Sequence, residues 1–452
     1  MMRSLYSGVA GLKTHQTRMD VIGNNIANVN TTAYKSQSMT FSDLMYQTTQ
    51  AASGANPTTG VGGTNARQIG LGAKTSAIKT AITTQGASQT TNDPFDIMIT
   101  GDSFFIVNNG QNNYFTRDGS FYVDGAGNLA MTSTGYNVMG WQVDPNDASA
   151  IKQDTVSALR VMTTENMTYP PEATKSARIS GIIDKNDTNV NATAGKIMNL
   201  EFYDNQGYKY TAKLSVHSTT TEGQFTVQLD DILDSKGKTV LADPTKASLQ
   251  QNNTNITAPV VLEFNTNNGS FKNVGKTGET ESTLTLHFDT GTFPSFSDIT
   301  IDFSNCSNLN NNGSSTVSPI RGDAKGNGAG RKVGEMSGID IQKDGMIYAN
   351  YDNGCSRLLG QIAVATFANA SGLAKEGDNL YSATQNSGDF DGIGTDITTG
   401  GGYMNTGVLE MSNVDLSSEF TEMITTQRGF QANSRIITVS DTLLEELTNL
   451  KR

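Results

Sequence analysis

What this chain lacks narrows its chemistry at once. Its only cysteines are Cys306 and Cys355, and two cysteines cannot build a disulfide framework. Its three histidines, His15, His217 and His287, stand far from one another and from both cysteines. No zinc-type spacing exists, so no metal or cofactor is expected. No Ser/His/Asp or Cys/His grouping stands out, and an enzyme is not expected. Proline is scarce, with 9 in 452 residues, and charged residues make up only 17%. No stretch approaches the roughly 18 apolar residues of a membrane helix. The first apolar-small run, Leu5–Leu12, ends at Lys13 and His15 and is too short for a secretion signal. By these rules alone the chain belongs in the cytoplasm. A net charge of −12 argues against nucleic acid or an anionic membrane as partner.

What is present is glycine, 46 of them, with abundant Ser, Thr and Asn. That mixture suits turn-rich β structure with thin cores. The two ends differ from the middle. Leu5, Leu12, Met19 and Ile26 recur every seven residues near the start, with Val9, Ile22 and Val29 beside them. Near the end Leu416, Met423, Phe430, Ile437 and Leu444 form a second seven-residue series, joined by Phe420 and widened by Ile436, Leu443, Leu447 and Leu450. Sustained seven-residue spacing predicts a narrow coiled-coil seam. The motif Ser412–Asp415 reads as a capping box opening a single helix of roughly 38 residues, about 57 Å long.

Between the ends, apolar runs are punctuated by Asn109-Gly110, Asp118-Gly119, Asp124-Gly125, Asp344-Gly345 and Asn353-Gly354. Such pairs supply the positive φ values of tight hairpin turns. Ile197–His217, Gly223–Leu233 and Ser282–Thr290 also read as strands. Composition shifts at Pro170-Pro171 and at Gly322–Lys332 predict an inserted domain. The expected fold is α+β, with long terminal helices pairing as a coiled coil around two nested, mainly antiparallel β domains. Its predicted parts are a helical domain (1–30 and 412–452), a connecting segment (31–75, including low-complexity Thr48–Gly63), an inner β domain (76–172 and 331–411) and an outer one (173–330). Two motifs fall short of function. Gly326–Lys332 has the wrong spacing for a phosphate loop. Asp389–Asp396 opens like a calcium loop but lacks a ligand at Ile393 and has Gly400 where the bidentate Glu belongs.

One stretch resists an ordinary reading. Asn24, Asn25, Asn28 and Asn30 cluster at the end of the first helical segment, although asparagine competes for backbone hydrogen bonds and suits a helix interior poorly. Asn28 or Asn30 is a candidate left-handed helix cap. The residues Leu5–Lys35, "LYSGVAGLKTHQTRMDVIGNNIANVNTTAYK", resemble the N-terminal signature of bacterial flagellar axial proteins, the rod and hook family. Gly407–Arg452 is similar to the matching C-terminal signature, and Ile99–Gly110, Tyr114–Phe121 and Asn353–Thr384 resemble the family's β segments. Ala33 stands where the family pattern has glycine, and Ser103 where it usually has glycine.

The resemblance implies a structural subunit that polymerises into a hollow tube. It implies export by the flagellar type III apparatus without a cleaved signal, and a place outside the cell, which replaces the cytoplasmic reading. Implied partners are further copies of the chain, the rod, hook-cap and hook–filament junction proteins, and the export apparatus. Some family members join subunits covalently through a cysteine at the start of the inserted domain; the corresponding Ile179–Asp184 has none. In a lattice, neighbouring helices would satisfy the asparagine amides laterally. The expected subunit-interface residues are Leu5, Leu12, Met19, Asn24, Asn25, Ile26 and Asn28 on the first helix. On the second they are Leu416, Phe420, Met423, Gln427, Phe430, Asn433, Ile437 and Leu444.

Overall fold

The computed structural model describes residues 2–54, 60, 62–241, 244–251, 254–256, 259–275 and 281–450. Parts of the low-complexity Thr48–Gly63 segment (55–59 and 61) and the last two residues of the predicted helical domain lie outside the described residues. The chain divides into two compact units. One comprises 1–163, 339–349 and 357–452, and the other 164–338 and 350–356.

The first unit holds both long helices, α1 (Met2–Ala27) and α2 (Leu416–Asn449). Helix α2 begins later than the capping-box reading placed it. Asp415, not Ser412, is the N-cap, and its carboxylate accepts from the Ser417 and Ser418 amides. A short carboxylate one residue before the helix satisfies amides that have no intrahelical partner, whereas the Ser412 hydroxyl accepts only from Val414 N. Helix α1 does not end on a left-handed asparagine either. The left-handed residue of this segment is Ala33, at φ 53°, and an alanine in that conformation carries backbone strain of about 1 kcal/mol.

After α1 an antiparallel ribbon pairs Gln37–Asp43 with Ala73–Thr80. The β body of this unit is antiparallel. Asn137–Asp144 pairs with Phe104–Asn108, which continues to Asn113–Thr116, Leu380–Ser382 and Ala374–Gly377. Phe104, Ile106, Phe115, Trp141 and Tyr381 fill its core. Three of the five predicted turn glycines adopt positive φ: Gly110, Gly345 and Gly354. Gly119 and Gly125 do not. Gly119 is required for space instead, because a Cβ there would lie 1.7 Å from Ile97 O. At the Asp124 turn the positive φ falls on Gly127, while the Asp124 carboxylate accepts from Ala126 and Asn128 amides.

The second unit contains a six-stranded and a five-stranded sheet. Ile197–His217 resolves into strands Lys196–Tyr203 and Lys209–Ser218, which pair antiparallel. One parallel pair interrupts the pattern, Ser176–Ile182 beside Ile299–Ser307. Inward residues of both sheets form one core, centred on Phe202, Phe288, Phe293 and Phe296. Cys306 belongs to this core. It lies in strand Ile299–Ser307 rather than in a polar loop, its Sγ donates to Ile179 O at 3.4 Å, and burial pushes its thiol up to about 12. Both cysteines are free.

Candidate assembly surface

Helices α1 and α2 run antiparallel in contact. Gly8 faces Ile437, Gly11 faces Asn433 and His15 faces Gly429. Further along, Arg18 pairs with Glu422 at 2.9 Å, and Asn25 donates to Glu419 Oε1 at 2.9 Å. Glycine on both helices permits this approach. A Cβ on Gly11 would lie 2.6 Å from the Asn433 amide, and one on Gly429 would lie 2.6 Å from the His15 ring. Interaxial distance is set by the side chains at the contact, so these glycines decide it.

The predicted series lie along this contact but do not fill it alone. Leu5, Leu12, Met19 and Ile26 are half-buried, with Gly8, His15 and Ile22 spaced between them. On α2 the half-buried Met423, Phe430, Ile437 and Leu444 alternate with Thr426, Asn433 and Ser440. Leu416, Phe420 and Gln427 are exposed. Two apolar stripes on α2 are left open. Leu416, Phe420 and Ile424 form one, at four-residue spacing, and Ile436, Val439, Leu443, Leu447 and Leu450 form the other. At 100° per residue these stripes flank the α1 contact on opposite sides. Tyr6 and Val9 are also exposed on α1.

Asn24, Asn25 and Asn28 have partners within their own chain, where the sequence pointed to lateral ones. Asn25 is fully buried. Its amide donates to Gln37 O at 2.8 Å and to Glu419, and its carbonyl accepts from Gln37 N at 2.9 Å and from Tyr34 Oη. It clamps the first residue of the ribbon as a neighbouring strand would, and every one of its hydrogen-bonding positions is used. Asn24 donates to Tyr34 Oη, and Asn28 closes back onto the Asn24 carbonyl and side chain.

Beside this clamp lies a charged cluster with no counterpart in the sequence reading. Lys35, Arg117 and Glu410 are each almost fully buried. Glu410 Oε1 lies 2.7 Å from Lys35 Nζ and accepts from Gly86 N, while Oε2 lies 3.7 Å from Arg117 Nη1. Lys35 also donates to Thr84 O, and Arg117 to Gly101 O. Burial pulls the Lys35 pKa down, and the Glu410 carboxylate pushes it back up. Ala33 N donates to Glu410 O, and Asn413 ties Ser36 N to the Ala81 and Thr84 carbonyls. The segment leaving α1 and the segment entering α2 are thus joined by backbone and side chain alike. The one signal in the sequence was a lysine directly after an aromatic residue at the end of the N-terminal motif. Its carboxylate partner lies 375 residues away.

The chain matches three family models. Residues 5–35 match the flagella basal body rod protein model, residues 98–180 the flagellar hook protein FlgE/F/G D1 domain, and residues 405–450 the flagellar basal body rod FlgEFG protein C-terminal model. The flagellar hook protein FlgE of Borreliella burgdorferi is 37% identical over 470 residues, covering 100% of both chains. The chain belongs to the flagellar hook protein family. The flagellar hook protein FlgE of Treponema pallidum is 35% identical, again over 100% of both chains. The flagellar basal-body rod protein FlgG of Bacillus subtilis is 29% identical, with the same full coverage. All of α2, α1 from residue 5 onward, and Asn25, Tyr34 and Glu419 of the clamp fall within the two terminal segments that these family models match, with Gln37 just beyond the first.

Proposed function

We propose that this chain is the building subunit of the bacterial flagellar hook, polymerising into a short, curved, hollow tube that passes torque from rod to filament. The observation that carries the reading is the pair of open apolar stripes on α2. A helix in water does not keep eight large apolar side chains exposed without a use for them, and contiguous exposed apolar surface marks an interaction site. Copies of the same chain cover these stripes, with α1 and α2 as a coiled-coil inner layer. Residues 76–163, 339–349 and 357–411 form the inner β layer, and 164–338 with 350–356 the outer one, so the borders first read at 173 and 330 move outward to the limits of the second unit. Polar, glycine-rich outer surfaces suit a tube that bends as it turns, because wet, shallow contacts exchange partners at small cost. The subunit leaves the cell through the type III apparatus and meets rod, cap and junction proteins at the tube's ends. A distal rod protein is the nearest rival. The higher identity to hook proteins, 37% and 35% against 29% for the rod protein, favours the hook.

The test places a charge on each stripe. Ile424 and Val439 are 59% and 57% exposed, so Ile424→Asp and Val439→Asp leave the monomer's fold and melting intact. Both variants are expected to stay monomeric in sedimentation while wild type polymerises, because burying an unpaired carboxylate in a subunit contact is strongly disfavoured. Normal polymers from both variants would remove the stripes from the interface. Phe430 is a poorer probe: it is half-buried on the α1-facing line, so a charge there strikes the helix pair itself.

A further inference from the structure

We propose that His15 makes the α1–α2 contact acid-sensitive, with protonation of its imidazole loosening the helix pair. This contact lies within the single chain and is present without assembly. The His15 ring sits over Gly429, where a Cβ would lie 2.6 Å from it. Its other side meets the Phe41 ring edge-on at 5.5 Å. Its Nδ1 is buried and makes no hydrogen bond among the described residues. A second proton would therefore add a charge to a face closed by a glycine backbone and a phenyl ring.

The charges around it do not welcome another cation. On its own helix Arg18 lies one turn away, over the same Phe41 ring, with its guanidinium already paired to Glu422 of α2. The other charged groups along the facing stretch of α2 are Glu419, held by Asn25, Arg428, held by Gln431, and Arg435. The ribbon strands packed against α1 carry Asp43 on one side and Lys74 and Lys79 on the other. Burial first, and Arg18 second, hold the His15 pKa below its ordinary value of 6.5. A base whose folded pKa is lowered contributes full stability above its unfolded pKa. It loses that contribution as pH falls below 6.5 towards the folded value. Glu419 acts in the opposite sense: burial raises its pKa, so its protonation favours the folded pair as pH falls.

Two measurements on the full chain test this. With histidine labelled at Cε1, the three ring resonances are followed from pH 8 to 5. His15, assigned by its absence in His15→Gln, is expected to titrate below 6.5. Hydrogen exchange, corrected for intrinsic rate, is then compared at pH 7.5 and 5.5. The amides of α1 are expected to lose protection at the lower pH, and His15→Gln is expected to abolish that loss. Titration of His15 at or above 6.5 would overturn the proposal without any variant. An equal loss in His15→Gln would also overturn it, moving the acid response to the carboxylates.

Discussion

Removing the one carboxylate between Lys35 and Arg117 tests the account of how the helices are anchored to the β body. In Glu410→Gln the acceptor at Oε1 survives for Lys35 and Gly86, but the negative charge does not. Two cations, each with a side chain 1% exposed, then share a dry site with only the exposed Asp102 carboxylate acting on them from its edge. Stranding a buried charge by removing its partner costs about 3–5 kcal/mol. The new amide also points an N–H group towards Arg117, so the upper half of that range is expected. Urea unfolding gives the assay, and the chain supplies its own probe. The single tryptophan, Trp141, is 2% exposed in the core of the same unit and donates from Nε1 to Ile393 O. Its emission therefore reports that unit. Lys35→Met alone leaves the carboxylate with Arg117 and the Gly86 amide and removes its nearest partner. The double variant Lys35→Met/Glu410→Gln is expected to cost less than the sum of the two singles by more than about 1 kcal/mol, as contacting residues do. A loss below about 1 kcal/mol for Glu410→Gln, or strict additivity in the cycle, would refute the reasoning.

Two glycines that look alike in sequence should behave differently. Gly119→Ala forces a Cβ onto Ile97 O and is expected to cost more than about 3 kcal/mol by the same tryptophan assay. Gly125→Ala meets nothing within 4 Å and is expected to change stability by no more than about 0.5 kcal/mol; equal effects would void the close-approach argument. The Cys306 thiol, pushed up to about 12 by burial, should resist iodoacetamide in the native chain at pH 8 and react in urea, since the thiolate is the nucleophile. Fast native alkylation at Cys306, located by peptide mass, would contradict its place in the core.

Much of the outline could be read from spacing, and the anchoring could not. The seven-residue series at both ends announced α1 and α2, because a buried helix face must recur with the helical period. They did not announce that Gly8, Gly11 and Gly429 set the distance between the helices, since glycine leaves no trace in a hydrophobic pattern. Asn-Gly and Asp-Gly pairs marked Gly110, Gly345 and Gly354 correctly. They misled at Gly119, where the need is for space, and at Asp124, where the side chain rather than the next glycine organises the turn. Asn25 was visible as an oddity and unreadable as a clamp, because its partners Gln37 and Glu419 come from a strand start and a helix start in separate parts of the chain. The Lys35–Glu410–Arg117 cluster was hidden for the same reason. Each residue alone is an ordinary surface charge, and only the fold brings them out of water together.

Electron microscopy of basal bodies from a deletion strain decides whether this chain builds the hook. Basal bodies isolated from cells lacking the gene are expected to keep a complete rod and end there, with hook and filament both missing. Reintroduction of the wild-type gene should restore the curved tube, while the Ile424→Asp gene should not. A complete hook in the deletion strain, or loss of the rod itself, would contradict the account.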